Sequence, residues 1–131
     1  MTQSNTASSS RAPLRVALIG FGTVGSSVAR ILVERPELAS RLTLTHIYNR
    51  DVARKRVDWV PSSVTWTERI EDVLAGKPDV VVEVVGGVEP AADWVRRALL
   101  QGASVVTANK MLLAAKGPEL LALAAKQGVQ L

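Results

Sequence analysis

Three glycines spaced as G-x-G-x-x-G, in the run Gly20-Phe21-Gly22-Thr23-Val24-Gly25, are the residues of this 131-residue chain best placed to do chemistry. Their chemistry is anion capture by backbone. Gly20 permits a tight turn, and Gly22 removes a side chain where the main chain must approach a diphosphate. Gly25 lets the following helix pack closely on the preceding strand. A helix that starts in this loop offers unpaired N–H groups and a partial positive charge to the phosphates. The same spacing also occurs in plain strand-to-helix turns that need small residues. Here the loop follows an apolar strand-like run directly and opens a helical apolar period, which is the context a dinucleotide requires.

A second group stands at the end of the next strand. In dinucleotide folds an acid there binds the adenosine ribose of NAD. Asn49 and Arg50 occupy those positions. Asn49 does not repel a 2'-phosphate, and Arg50 offers it a guanidinium fork, with Arg54, Lys55 and Arg56 close by, so NADP is favoured and NAD remains possible. Asp51 argues the other way if the strand ends two residues later. Glu83, set among valines, needs hydrogen-bond donors or a raised pKa. His46, inside a strand, reads as structural rather than as a base, and Trp59, Trp66 and Trp94 read as packing residues rather than as an adenine stack.

Strand-length apolar runs alternating with helical periods position these residues, and that alternation marks an α/β domain with a parallel sheet. Strands are expected at Leu14–Ile19, Leu42–Tyr48, Val64–Trp66, Val80–Val85 and Ser104–Val106. The most apolar, VVVEVV at 80–85, is expected to be central and covered on both faces. A helix over Val24–Val33 would bury Val24, Val28, Ile31 and Leu32 and stop at Pro36. A second, N-capped by Thr67, would run through Ala75. A third would start at Pro90, carry Trp94, Val95, Ala98 and Leu99, and close at Gly102. The last would run from Gly117-Pro118 to Gly128, with Val129–Leu131 opening another strand.

Composition narrows the function classes. The chain is 47% hydrophobic and 21% charged, which fits one globular domain. With no cysteine and a single histidine, thiol nucleophiles, disulfides and the usual zinc sites are excluded. Sixteen Lys and Arg against twelve Asp and Glu give a net charge of +4, yet only three Trp, one Tyr and one Phe are present. A base-stacking surface is therefore poorly supplied, and no nucleic-acid partner is expected. Residues 1–12 read as a disordered leader and 13–131 as the folded domain. Without a secretory apolar segment or a membrane span, a cytoplasmic location and no membrane partner are expected.

Three stretches taken in order, GFGTVG at 20–25, VVEVVGG at 81–87 and VVTANK at 105–110, closely resemble the amino-terminal cofactor domain of homoserine dehydrogenases. The resemblance runs from about Arg15 to Leu131. It implies a Rossmann-type doubly wound parallel sheet and NAD(P)H-dependent reduction of aspartate 4-semialdehyde to homoserine, on the way to threonine, methionine and isoleucine. By position it implies that Phe21, Thr23 and Val24 meet the dinucleotide largely through backbone, that Val85, Gly86 and Gly87 lie beside the cofactor, and that Thr107, Asn109 and Lys110 match a T-x-N-K motif. Its lysine would sit near the nicotinamide and substrate, the one candidate catalytic residue. In the family, the substrate site and the proton-transfer lysine belong to a following domain, so the chain is expected to be truncated before catalysis and inactive alone. The small-molecule substrate would be met through that second domain, and the full-length protein is expected to be a homo-oligomer. An aspartate dehydrogenase domain shares the same plan, and a stand-alone NAD(P)-sensing module is a reading of a different class.

Overall fold

A computed structural model describes residues 11–131, so the expected leader, apart from Arg11 and Ala12, lies outside the described residues. The chain runs β1 (Leu14–Ile19), α1 (Thr23–Glu34), a 3-10 turn (Pro36–Leu38), β2 (Leu42–Tyr48), α2 (Val52–Lys55), β3 (Thr65–Thr67), α3 (Ile70–Ala75), β4 (Val80–Glu83), α4 (Ala91–Leu100), β5 (Ser104–Thr107) and α5 (Lys110–Gln127). The five strands form one sheet in the order β3-β2-β1-β4-β5, and every neighbouring pair is parallel. That is the doubly wound Rossmann-type arrangement, with the strand order reversing beside β1.

The middle of the sheet belongs to β1 rather than to the more apolar β4. Val16, Ala17, Leu18 and Ile19 are all buried, because β1 has a strand on each side and helices on both faces. On one face α1 covers β1 and β2, burying Leu18, Leu44 and Ile47. On the other, α3, α4 and α5 bury Ala17, Ile19, Val81 and Val105. Coverage of β4 on both faces is therefore only partial. Val81 is buried, but Val80 and Val82 are half-buried, and Val106 of β5 on the α1 side is 58% exposed. No helix among the described residues reaches over that part of the sheet.

Local chemistry moved several element boundaries. In α1 the buried positions are Gly25 and Ala29, flanked by half-buried Val28 and Leu32, while Val24 and Ile31 face outward. Small residues let the helix lie close to the sheet and shift its buried stripe from the bulkier one. Thr67 ends β3 instead of capping a helix. Its hydroxyl accepts from the Arg69 N–H at 3.0 Å and donates to Asp72 at 2.5 Å, and α3 begins at Ile70.

The last helix starts at Lys110, capped by the Asn109 side chain, which accepts from the Leu112 N–H at 3.0 Å, and it continues through Gly117 and Pro118. Proline inside a helix removes one hydrogen bond and costs about 3 kcal/mol. Burial of Leu112, Gly117, Leu120 and Ala124 along a single face offsets that cost. Residues 129–131 carry no strand assignment, although the Val105 N–H donates to the Gln130 carbonyl at 2.9 Å and lays this segment beside β5.

Candidate functional site at the carboxyl ends of the strands

The glycine loop joins β1 to α1 at the point where strand order reverses. Gly20 holds φ at +111°, which an L side chain rarely adopts. A Cβ on Gly25 would strike the Gly20 carbonyl, lying 2.8 Å from its carbon, so only glycine allows α1 to start this close to the turn. Gly22 is different. A Cβ there would meet nothing within 4 Å, and the residue is the N-cap of α1 with no side chain capping the first-turn N–H groups. The loop therefore combines open space with uncapped N–H groups, as a bound diphosphate needs.

A cleft of about 470 Å³ opens in front of this loop. Gly20, Phe21 and Gly22 form one side, Tyr48, Asn49 and Arg50 a second, and Val84, Val85, Gly86, Glu89, Pro90 and Trp94 the third. Seven expected site residues thus meet around one space: Gly20, Phe21, Gly22, Asn49, Arg50, Val85 and Gly86. Phe21 contributes backbone, since its ring is buried edge-on against Trp66 at 4.9 Å and lies 6.1 Å from Trp59. Thr23 and Val24 lie in the first turn of α1, exposed beside the cleft.

The acids beside the second wall, Asp51 and Glu68, are occupied by backbone, whereas Glu89 lines the third wall. Strand β2 ends at Tyr48, so Asn49 follows it directly. Asp51 caps the short α2 by accepting from the Arg54 N–H at 3.3 Å, and its own N–H donates to the Asn49 side-chain oxygen at 2.9 Å. Glu68 accepts from the Val52 N–H at 3.0 Å. Arg54, Lys55 and Arg56, expected as a basic turn, fall on α2 and its end and do not line the cleft.

The third wall rests on Glu83. This residue is fully buried at the end of β4, opposite Ile19 and Thr107 in the sheet. One carboxylate oxygen accepts from the N–H groups of Val85 (2.9 Å) and Gly86 (3.2 Å) and from the Asn109 amide (3.4 Å). The other accepts from the Thr107 hydroxyl at 2.5 Å. Asn109 also donates to the Gly87 carbonyl at 2.5 Å, and Thr107 accepts from the Asn109 N–H at 3.0 Å. Thr107, Asn109 and Gly87 therefore build the wall from behind and do not line the cleft. Lys110 is exposed at the first position of α5, and among the described residues it makes no salt bridge.

Sequence reasoning missed Tyr48, Val84, Glu89 and Pro90 as cleft residues and gave Trp94 to packing alone. Trp94 does pack, edge-on to Tyr48 at 4.9 Å, and both rings also border the cleft. The available signal was position: Tyr48 immediately precedes Asn49, and Trp94 lies in the first turn of a helix that follows the Gly86-Gly87 turn. Burial pushes the Tyr48 hydroxyl above its usual pKa, with Arg50 opposing and Glu68 and Glu71 reinforcing, so it stays protonated at neutral pH. His46 does not line the cleft: its Nδ1 lies 3.0 Å from the Thr45 hydroxyl, and a Cβ on Gly76 would lie 2.5 Å from its ring. No group of three or more metal-ligating side chains and no helix long and apolar enough to cross a membrane is found among the described residues.

Comparison with known proteins agrees with this geometry. The family model described as the NAD-binding domain of homoserine dehydrogenase matches residues 20–131. Homoserine dehydrogenase of Bacillus subtilis is 38% identical over 120 residues, covering 88% of this chain and 28% of that protein. The enzyme of Corynebacterium glutamicum is 42% identical over 114 residues, covering 80% and 24%. Among solved structures, S. aureus homoserine dehydrogenase superposes with a TM-score of 0.82 at 39% identity, over 91% of this chain and 31% of that one. A hyperthermophilic archaeal homoserine dehydrogenase mutant in complex with NADPH gives 0.72 at 25% identity, over 90% and 42%. The chain thus spans less than a third of the length of the curated relatives compared. It belongs to the homoserine dehydrogenase family and carries that family's NAD-binding domain.

Proposed function

We propose that this domain binds NADP(H) in the cleft before the glycine loop and serves as the cofactor half of an enzyme interconverting aspartate 4-semialdehyde and homoserine. The observation that carries the reading is Gly22, which stands open and uncapped at the start of α1 while Gly25 is closed to any side chain. The first-turn N–H groups of Thr23 and Val24 receive the diphosphate. Asn49 and Arg50 receive the adenosine ribose and its 2'-phosphate. Preference for NADP over NAD is supported by the commitment of Asp51 and Glu68 to backbone N–H groups, which leaves Arg50 as the charged side chain on that wall of the cleft.

Val85 and Gly86 border the nicotinamide half, with Gly87, Thr107 and Asn109 supporting them. Bound there, the nicotinamide would give or take a hydride at the substrate carbonyl carbon. Lys110, exposed at the start of α5, is the residue of this chain assigned to the substrate end, where an ammonium can polarise a carbonyl oxygen. The small-molecule substrate is met together with a second domain of the whole protein, which we place in the cytoplasm as a homo-oligomer.

The test is a titration of the 131-residue chain with NADPH and NADH, run beside an absorbance assay with homoserine and saturating NADP. Binding that favours NADPH, without homoserine-dependent NADPH formation, is the expected result. A preference for NADH removes the NADP assignment. Turnover by these 131 residues alone overturns the division of labour between domains.

A further inference from the structure

We infer that Glu83 is a positioning residue that fixes the polarity of the cleft wall facing the nicotinamide half of the cofactor, an inference that rests on the cofactor reading above. The carboxylate draws the N–H groups of Val85 and Gly86 inward, at 2.9 and 3.2 Å. The peptides joining Val84 to Val85 and Val85 to Gly86 are trans. In a trans peptide the carbonyl opposes the N–H. The Val84 and Val85 carbonyls therefore point away from Glu83. The Val84 oxygen lies against Gly20, 3.2 Å from where a Cβ on that residue would stand.

Two walls of the same cleft thus present opposite chemistry. The start of α1 offers donors and suits phosphates, whereas Val84 and Val85 offer acceptors. Acceptors disfavour a phosphate and suit the amide N–H groups of a carboxamide. Without Glu83 the Val85 and Gly86 N–H groups would have no partner in the protein interior, and the turn would gain from rotating them toward an anion or water.

The same carboxylate holds the start of α5. Thr107 donates to it, Asn109 donates to both it and the Gly87 carbonyl, and Asn109 caps the helix that begins with Lys110. The wall and the helix start consequently move as one unit. A glutamine at position 83 has the same shape but carries one N–H2 and one oxygen. One orientation sets that N–H2 against the Val85, Gly86 and Asn109 donors, and the other takes from the Thr107 hydroxyl the acceptor of its own proton.

The experiment compares NADPH with 2'-phospho-ADP-ribose, which retains the adenosine and diphosphate and lacks the nicotinamide. Glu83→Gln in the 131-residue chain should bind NADPH at least fivefold more weakly and 2'-phospho-ADP-ribose within twofold of wild type. Hydrogen exchange at the Val85 and Gly86 amides should accelerate at least tenfold while β1 amides keep their wild-type rates. Thr107→Val, which removes the hydroxyl donor at unchanged volume, should show the same pattern and decides the matter if the glutamine variant does not fold. Equal losses for both ligands, an unchanged NADPH affinity, or a wild-type protein that binds both ligands equally well would overturn the role. A wild-type protein that binds neither ligand would instead refute the cofactor reading itself.

Discussion

Substituting Gly22 by aspartate separates the stability of the loop from its capacity to hold an anion. The backbone at Gly22 has φ −88° and ψ −150°, outside the left-handed region that favours glycine, and a Cβ there meets nothing within 4 Å. Nothing in the fold resists the new side chain. Aspartate is moreover a favoured N-cap, so replacing glycine should gain a few tenths of a kcal/mol in stability, and its charge at the helix start a further ~0.3–1 kcal/mol. The effect on a bound diphosphate has the opposite sign. Two unit charges about 5 Å apart near a protein surface repel by about 3 kcal/mol, and screening reduces this. A tenfold loss of affinity, about 1.4 kcal/mol, is therefore a lower bound. Thermal melting and a calorimetric NADPH titration on the same preparation give both quantities. An unchanged or raised melting temperature with at least tenfold weaker binding is expected. Unchanged affinity in a folded variant would refute the placement of the diphosphate, and lost stability would refute the view that this position is structurally free.

Arg50→Ala should weaken NADPH by roughly tenfold to a hundredfold, since a charge-assisted bond is worth about 1.5–3 kcal/mol, while NADH changes by less than about twofold; equal losses in the two titrations would reduce Arg50 to a general electrostatic role. Gly25→Ala places a Cβ against the Gly20 carbonyl, so its melting temperature should fall by roughly 3 °C or more for an overpacking cost of about 1–3 kcal/mol, and a wild-type melt would contradict the close approach. His46 titrates below its ordinary 6.5 because burial and then Arg15 disfavour its charge, with Asp72 partly opposing. The unfolded chain accordingly takes up the proton first as pH falls, so the stability tied to neutral His46 is intact above pH 6.5 and is lost on descending through the lower native value. Urea midpoints at pH 7.5 and 5.5 should differ less in His46→Gln than in wild type, and equal differences would show that His46 carries no such linkage.

Where apolar character alone decides structure, the sequence was legible to the residue. Leu14–Ile19 and Leu42–Tyr48 form strands with the expected limits because each has uninterrupted or alternating apolar character bounded by glycine or polar turns. What periodicity does not report is which strand is central. The run at 80–85 is more apolar than β1, yet its place in the sheet follows from crossover connections, and no helix among the described residues completes its burial. Punctuation misled at Gly117-Pro118 for a related reason. Glycine and proline report the local cost of helix, whereas the continuous buried face from Leu112 to Ala124 is a tertiary gain that no local signal carries.

The site shows the same division between proximity and direction. The glycine spacing was informative because Gly20 and Gly25 each answer a backbone requirement, and a backbone requirement is visible in residue type. The polar letters of VVTANK carry only proximity. Thr107 and Asn109 stand next to the cleft, as their place at the end of β5 demands, but their hydrogen-bonding groups turn inward, toward Glu83 and the Gly87 carbonyl. The reason lies in burial: an acid with no exposed surface must collect donors from whatever lies beside it, and the parallel register sets Thr107 opposite Glu83. A threonine and an asparagine two residues apart, next to a strand that carries an acid among valines, are thus a pattern for a buried hydrogen-bond network as much as for ligand contact. What separates the two in sequence is the acid itself, since a polar pair that faced only a ligand would need no buried carboxylate behind it.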